Sequence, residues 1–339
     1  MNILITGTAG FIGFHLVQRL LSGGHTVYGM DNLNDYYDIT LKEERLACCG
    51  ISTPVHHREE RVSTLSPHYT FCRMDLNDTE ALEELFATHP FDCVVNLAAQ
   101  AGVRYSLTHP RAYVTSNISG FLNVLEACRK FNIPRLIYAS SSSVYGNNTA
   151  VPFKEESRVD HPVSLYAASK RSNELMAFTY AQLYRMTTIG LRFFTVYGPY
   201  GRPDMAPMLF AKAIQNEEEI RVFNRGELSR DFTYIDDIIT GIEKIILTPG
   251  IKREEVPGIP AILYNIGRGE PVQLMDFIRL LEEKLGKTAR KRLVEMQPGD
   301  VYQTWADTSH LQEDYGYSPH VSLNEGITKL VEWLTAHDK

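Results

Sequence analysis

The stretch "LITGTAGFIGFHLVQRLL" (residues 4–21) decides the fold. A short apolar run ends at Gly7, and apolar residues recur at helical spacing from Phe11 onward. Gly7 permits a sharp turn, Gly10 lets an anion approach the free N–H groups at the start of a helix, and Gly13 lets that helix pack closely on the strand. The stretch therefore predicts a strand, a tight turn and a helix at the start of a dinucleotide-binding sheet.

An acidic residue stands at the end of the second predicted strand, "HTVYGMD" (residues 25–31). A carboxylate at Asp31 would accept hydrogen bonds from ribose hydroxyls and would repel a 2′-phosphate, which favours NAD over NADP. The spacing G-x-x-G-x-x-G alone also fits a tight turn that binds nothing, but the order of strand, glycines and acid favours an NAD site. Besides the three glycines, the predicted NAD contacts are Phe11, Ile12, Asp31, Asn32, Asp75, Leu76, Leu97, Ala98 and Ala99.

Apolar runs typical of buried strands alternate with helical patterns through residue 194. This alternation predicts an α/β fold, a doubly wound parallel sheet of the Rossmann type with a smaller C-terminal α/β substrate lobe. We assign residues 1–196 plus 233–267 to the NAD-binding domain and residues 197–232 plus 268–339 to the substrate lobe. Residues 47–68 carry the weakest pattern and are predicted to form a long surface loop.

Composition narrows the classes of partner. The net charge of the 339 residues is −7 and no Lys/Arg-rich block occurs, which argues against nucleic acid. Five irregularly spaced cysteines do not form a disulfide framework and indicate a reducing cytoplasm. The chain opens on a strand rather than a signal peptide, and no apolar run is long enough to cross a membrane. No metal site is predicted.

The stretch "SLYAASK" (residues 164–170) carries a phenol and an ammonium group four residues apart. On a helix, Tyr166 and Lys170 lie on the same face, where a cation favours the phenolate and lowers the pKa of the tyrosine. Such a pair can take a proton from a sugar hydroxyl while hydride leaves the same carbon. An exposed Tyr–Lys pair without a role is the alternative, and the preceding nucleotide-binding pattern weighs against it.

Four serines follow the strand in "YASSSSVYG" (residues 138–146). Because strand ends of a doubly wound sheet face the ligand crevice, a hydroxyl here could bind the reacting oxygen and share its proton with Tyr166. A serine-rich turn without a catalytic role is the alternative for each serine taken singly.

With these three motifs together, the chain resembles the extended short-chain dehydrogenase/reductase family of NAD-dependent nucleotide-sugar epimerases and dehydratases. The resemblance runs nearly end to end, and its longer phrases are most similar to the 4-epimerases that act on UDP-glucuronate. Tyr302 stands where the family pattern would have proline or a small residue. The phrases that carry the resemblance are "TGTAGFIG", "GMDNLNDYYD", "AQAGVRYSL", "SSSSVYG", "YAASK", "RFFTVYGPYGRPDMA", "RDFTYIDD" and "MQPGDV".

The resemblance implies roles for individual residues. Tyr166 would be the base, Lys170 its modulator, and Ser141 the hydroxyl beside the sugar 4-OH. Both Tyr166 and Lys170 would also contact NAD. Asn117 would support the active-site helix and contribute to the cofactor site. The implied substrate contacts are Arg104, Ser141, Ser142, Ser143, Thr195, Arg202, Phe223, Arg230, Gln297 and Asp300.

The resemblance further implies a UDP-sugar substrate, a homodimer built from the helices near 112–131 and 166–185, and 4-epimerisation through a 4-keto intermediate. A UDP-glucuronate decarboxylase or another nucleotide-sugar epimerase or dehydratase is the closest alternative. The decarboxylases and dehydratases of the family typically carry a glutamate directly before "VYG", where this chain has Ser143. A non-catalytic NAD-binding protein is a more distant alternative, because such proteins usually lack the Tyr–Lys pair.

Overall fold

The computed structural model describes residues 1–296 and 300–337. Strands of the main sheet alternate with helices along the chain, as predicted, which confirms the α/β fold class. The strands are β1 Asn2–Thr6, β2 Thr26–Asp31, β3 Glu60–Val62, β4 Tyr69–Arg73, β5 Cys93–Asn96, β6 Arg135–Ser141, β7 Thr187–Phe193, β8 Thr195–Tyr197, β9 Glu219–Val222, β10 Ser229–Tyr234, β11 Ala261–Ile266, β12 Pro271–Gln273 and β13 Arg290–Leu293.

The helices alternate with the strands of the main sheet over the first half of the chain. Short irregular helical turns occur at Val114–Ser119, which is π-helical, and at Ser142–Tyr145 and Phe223–Gly226. The α-helices are α1 Phe11–Ser22, α2 Thr40–Cys48, α3 Thr79–Thr88, α4 Tyr105–Thr108, α5 Pro110–Tyr113, α6 Gly120–Lys130, α7 Leu165–Tyr184, α8 Ala206–Gln215, α9 Ile235–Leu247, α10 Leu274–Leu285, α11 Ser309–Tyr315 and α12 Leu323–His337.

The main sheet has the strand order β11-β7-β6-β5-β1-β2-β4-β3, and among its described strands β3 alone runs antiparallel to its neighbour. Successive residues of β1 face opposite sides: Ile3 and Ile5 pack in the core with α1 and α9, while Leu4 packs in the core with α3 and α6. Burial on both faces explains why these strands are continuous apolar runs.

The order in which the chain adds strands to the sheet reverses at β1, which has β2 on one side and β5 on the other. In doubly wound sheets the crevice at such a reversal binds ligands. The carboxyl ends of β1, β2, β5 and β6 meet there, so the fold brings together four of the segments in which the sequence predicted NAD and catalytic contacts.

The C-terminal part of the chain adds two small sheets, β12-β10-β8 and β13-β9. Helix α10 packs against α8 and α12, whereas α9 packs against α1, and β11 joins the main sheet beside β7. The exact domain boundaries stay a prediction. Among the described residues, no helix has both the length and the apolarity needed to cross a membrane.

The segment 47–68 differs from the predicted loop. Part of it forms β3, which pairs with β4 at the edge of the main sheet, and Ile51 and Val55 are buried beneath it. A strand of three residues is too short to display an alternating pattern, which is why the sequence did not reveal it.

Candidate active site

A cavity of about 970 Å³ opens at the carboxyl ends of the main strands and extends to β9 and β10. Such a volume accommodates a ligand of drug size or larger. Almost every residue predicted from the sequence lines it. Those residues are Gly7, Gly10, Phe11, Ile12, Gly13, Asp31, Asn32, Asp75, Leu76, Leu97, Ala98, Ala99, Arg104, Ser141, Ser142, Ser143, Tyr166, Lys170, Thr195, Arg202, Phe223, Arg230 and Asp300.

The glycine turn leaves no room for side chains. Gly7 has a φ of +78°, and a Cβ there would lie 2.8 Å from the Ala98 nitrogen. A Cβ on Gly13 would lie 2.2 Å from the Gly7 oxygen. Gly10 precedes α1 without a capping side chain among the described residues, so the N–H groups of the first turn stay free for an anion.

Asp31 is held in place by the turn that it faces. One of its oxygens accepts a hydrogen bond from the Ala9 N–H at 3.2 Å, and the other accepts from the Leu33 N–H at 2.9 Å. Next to it, the Asn32 amide donates to Asp75 at 2.8 Å. The glycine cradle, the free helix terminus and this acid fit NAD, with Asp31 at the ribose and the turn at the diphosphate.

Asn117 is the described residue that lies away from the predicted cofactor wall. Its amide donates to the Gln100 oxygen at 2.9 Å and to Ser169 Oγ at 3.0 Å, and its oxygen accepts from the Gln100 N–H at 2.7 Å. Asn117 therefore connects the segment after β5 to α7, in agreement with the supporting role. Asn117 is buried and does not line the cavity, and its contact with the cofactor stays a prediction.

Lys170 lies in the second turn of α7, and its ammonium donates to the Ala139 oxygen of β6 at 2.8 Å. Its side chain is buried, and burial lowers its pKa to about 8, while the nearby Glu174 carboxylate opposes that shift. Lys170 therefore titrates close to neutral pH.

Tyr166 lies one turn earlier on the same face and is partly buried. Burial raises its pKa, while the Ser141 hydroxyl and the Arg202 cation lower it. The expectation of an acidified phenol thus differs from the structure, because the sequence argument considered charges and not desolvation. A further positive charge beside the ring, such as that of an oxidised nicotinamide, would shift the pKa in the required direction.

The serines after β6 form a connected group. Ser141 Oγ accepts hydrogen bonds from Ser143 Oγ at 2.9 Å and from the Ser143 N–H at 3.2 Å. Ser142 and Thr195 line the same part of the cavity. The structure therefore brings together the hydroxyl groups that were predicted to face the sugar.

A second charged group faces Tyr166, and the sequence analysis identified only one of its members. Arg202 Nε donates to Asp204 at 3.0 Å, and Tyr36 Oη donates to the same carboxylate at 2.8 Å. Burial would raise the pKa of Asp204, but the Arg202 charge and these hydrogen bonds outweigh it and keep the pKa low. Asp204 stands two residues after Arg202, in a loop that has no pattern by which its partner Tyr36 could be found.

At the far end of the cavity, four of the predicted substrate contacts lie beside one another. Arg104 is 3.6 Å from Asp300, and its guanidinium lies 5.0 Å from the centre of the Phe223 ring. Arg230 lies near this pair, and burial lowers its pKa. Arg104 therefore lies beside Asp300 and Phe223, whereas Arg202 is a cation that acts on Tyr166. Gln297 lies outside the described residues.

Outside the cavity, His310 lies between two carboxylates, 3.7 Å from Glu155 and 3.4 Å from Glu156. These residue types bind metals, and no sequence pattern indicated their proximity. The distances are those of ion pairs, and the absence of a resident metal stays a prediction.

Comparisons with known proteins agree with this geometry. The sequence profile described as NAD dependent epimerase/dehydratase family matches residues 3–267. Protein CapI of Staphylococcus aureus is 48% identical over 100% of both chains. A probable UDP-glucuronate 4-epimerase of Rhizobium meliloti (strain 1021) is 42% identical over 98% of this chain and 96% of that relative. The crystal structure of a Bacillus cereus UDP-glucuronic acid 4-epimerase with UDP-glucuronic acid and NAD has a TM-score of 0.88 and 34% identity, covering 99% of this chain and 100% of that one.

These similarities confirm the resemblance drawn from the motifs, NAD as the cofactor and the kind of enzyme that the sequence predicted. The contacts of individual residues with NAD or with a sugar stay predictions. The profile spans most of the chain, and the relatives align with it almost end to end. The chain therefore belongs to the NAD dependent epimerase/dehydratase family.

Proposed function

We propose that the protein is an NAD-dependent 4-epimerase that interconverts UDP-glucuronate and UDP-galacturonate. The observation that carries this proposal is one cavity in which Tyr166 and Lys170 stand beside a group of hydroxyls and a partly buried cation, Arg202. Relatives and a solved structure named as UDP-glucuronate 4-epimerases support the choice of substrate.

The glycine turn and Asp31 would hold NAD, which would supply a reversible hydride acceptor for C4 of the sugar. The chain's own residues move the proton and hold the sugar. Tyr166 takes the proton of the 4-OH group, Ser141 binds the same oxygen, and Lys170 supplies positive charge that favours the phenolate. Once the 4-keto sugar has turned about its diphosphate linkage, its other face is presented for the return of hydride to C4, and Tyr166 returns the proton to the O4 oxygen.

The substrate carboxylate requires its own site, because a 4-keto uronate is a β-keto acid that readily loses CO₂. Ser142, Ser143 and Thr195 offer hydrogen bonds, and Arg202 offers a cation on the Tyr166 side of the cavity. Hydrogen bonds to a carboxylate keep its charge localised on oxygen and oppose cleavage of the C–C bond. This favours epimerisation over the alternative decarboxylase.

The absence of a glutamate before "VYG", where Ser143 stands, is a further argument against the decarboxylase and dehydratase alternatives. A non-catalytic NAD-binding protein would have no need for the Tyr–Lys pair. UDP-sugars with neutral or N-acetylated hexoses are the remaining competitors for the same reaction.

The direct experiment is to incubate the purified protein with UDP-glucuronate and to separate the products by chromatography. We expect UDP-galacturonate and no UDP-pentose. In Tyr166→Phe the rate should fall about 10²–10⁴-fold because the proton acceptor is lost, whereas the exposed Tyr184→Phe should keep it. If UDP-glucuronate is unchanged and a neutral UDP-hexose is epimerised, the proposed substrate is wrong.

The carboxylate site has a separate test. The double variant Ser142→Ala and Ser143→Ala should epimerise more slowly and release a UDP-pentose, because the 4-keto uronate loses its hydrogen bonds. Unchanged epimerisation without any pentose product would contradict these contacts.

We also propose a homodimer. Large apolar side chains are exposed on the two helical segments that were predicted to form the interface, and a second copy would bury them. All five cysteines, which lie within the described residues, carry free thiols, and a cytoplasmic location stays a prediction.

Light scattering tests the proposed homodimer. It should give twice the chain mass for the unchanged protein and the mass of one chain for Leu175→Glu. The exposed residues of these two segments are Val114, Leu122, Leu175, Leu183 and Tyr184.

A further inference from the structure

A third polar residue continues the stripe of α7 that carries Tyr166 and Lys170. Glu174 lies four residues after Lys170, and its side chain is only 1% exposed. It lies one helical turn deeper than the cavity wall and belongs to none of the predicted sites. Burying a carboxylate is unfavourable unless its oxygens are paired and hydrogen-bonded, so its partners indicate its role.

Glu174 binds the two strands that end beneath the active site. One of its oxygens accepts from Ser140 Oγ at 2.6 Å and from Arg192 Nε at 2.8 Å, and the other accepts from Arg192 Nη2 at 3.0 Å. Ser140 on β6 and Arg192 on β7 are paired in the sheet. The carboxylate therefore joins α7 to two neighbouring strands at one level of the sheet.

This level adjoins the contacts on which the proposed chemistry depends. Lys170 donates to the oxygen of Ala139, the residue before Ser140, and the hydroxyl of Ser141, the residue after it, acts on Tyr166. Three successive residues of β6 thus meet three residues of α7. A shift of α7 along β6 would disturb both catalytic contacts, and the Glu174 ion pair opposes such a shift.

Glu174 also supplies the negative charge that acts on the buried Lys170 ammonium. Burial lowers the pKa of Lys170 and the Glu174 charge raises it. Burial would raise the pKa of Glu174, but Arg192, Ser140 and Arg171 outweigh it, so the carboxylate stays ionised. The groups that face Glu174 from the surrounding elements are Lys170 and Arg171 on α7, Tyr138 and Ser140 on β6, Arg192 on β7, and Glu255 before β11.

We propose that Glu174 is a positioning residue that fixes α7 on β6 and β7 and holds a carboxylate one helical turn from Lys170. The link to catalysis rests on the proposed function of Tyr166 and Lys170. The effect on Lys170 itself does not depend on the identity of the substrate.

The first test is the titration of Lys170, followed by NMR of protein that carries ¹³C-labelled lysine, with Lys170→Arg to assign the signal. We expect a midpoint near 8 in the unchanged protein and near ~7 in Glu174→Gln, because a neighbouring opposite charge shifts a pKa by about one unit or more. The alkaline limb of the pH–rate profile should move to lower pH by the same amount, so that activity at pH 8 falls about fivefold.

Two further variants separate this role from a purely structural ion pair. Glu174→Gln leaves Arg192 buried without a charge partner, so its melting temperature should fall. Glu174→Gln combined with Arg192→Gln removes both charges and should recover stability while Lys170 still titrates near ~7. Arg171→Gln keeps the carboxylate, so its Lys170 midpoint should not fall.

The results decide the proposal in either direction. The proposal is overturned if Lys170 still titrates near 8 in the stable double variant. It is also overturned if the Lys170 midpoint recovers whenever stability recovers, because the Glu174 charge would then have no effect of its own. If the midpoint falls but the protein does not act on UDP-glucuronate, the positioning role stands and the proposed substrate fails.

Discussion

The two ends of the cavity are built in different ways. The cofactor end consists of strand ends and the turn around Gly7, in which the backbone itself shapes the wall. The end proposed for the sugar and uridine consists of side chains from distant segments, held by ion pairs such as Arg202 with Asp204 and Arg104 with Asp300. The first depends on close packing, and the second depends on charges that are partly open to solvent.

This difference predicts different responses to substitution. Packing leaves almost no tolerance, because an added methyl group has no space to enter. An exposed or half-exposed ion pair contributes little, because water and salt screen it. Substitutions at the cofactor end should therefore strongly reduce stability or NAD affinity. Substitutions at the other end should cause smaller changes in substrate affinity or in the pH dependence of the rate.

The largest effect is expected for Gly13→Ala. Its Cβ would lie 2.2 Å from the Gly7 oxygen, so α1 or the turn must move, at a cost of about 3 kcal/mol of unfolding free energy. The control is Gly24→Ala, where a Cβ meets no atom within 4 Å and only the positive φ costs about 1 kcal/mol. Denaturant unfolding measures both, and equal costs would contradict the packing argument.

Asp31→Ala sharpens the comparison within the cofactor end. It removes the carboxylate proposed at the ribose and the acceptor of the Ala9 N–H. We expect NAD to bind about 10–100-fold more weakly, and NADP to gain relative to NAD because a repulsive charge is gone. Fluorescence titration of both cofactors measures this, with exposed Asp35→Ala as the control. An unaltered preference for NAD would exclude Asp31 from the ribose site.

The same contrast decides how much could be predicted from the sequence. The cofactor end follows from local order along the chain, since Gly7, Gly13 and Asp31 stand at fixed points of strand, turn and strand. Tyr166 and Lys170 are also readable, because four residues make one helical turn. All of these line the cavity where the strand ends meet.

The other end could be predicted only through resemblance, and only in part. Tyr36 and Asp204 are 168 residues apart, and nothing in either segment predicts that the Tyr36 hydroxyl donates a hydrogen bond to the Asp204 carboxylate. Glu174 was missed because it lies outside every motif, although its spacing from Lys170 repeats that of the Tyr–Lys pair. Desolvation of Tyr166 was missed because burial is a property of the whole fold.

Asp204→Asn tests the charges around Tyr166. The Asp204 carboxylate raises the pKa of Tyr166 and Arg202 lowers it, so removing the carboxylate should lower that pKa. Because the base must be deprotonated to act, the acid limb of the rate profile should move to lower pH by about half a unit. Tyr36→Phe keeps both charges and should leave the limb in place. A shift to higher pH would contradict the assigned signs.

The smallest effect is expected for Arg104→Gln. The side chain is 52% exposed and lies 3.6 Å from Asp300, so the pair contributes about 1 kcal/mol or less. The KM for UDP-glucuronate should rise no more than about fivefold, and less at high salt, because screening already weakens the pair in the unchanged protein. NAD affinity should stay constant, and exposed Arg111→Gln should change neither quantity. A loss of NAD affinity in Arg104→Gln would mean that Arg104 belongs to the cofactor end, and the division of the cavity into a packed end and a charged end would then have to be redrawn.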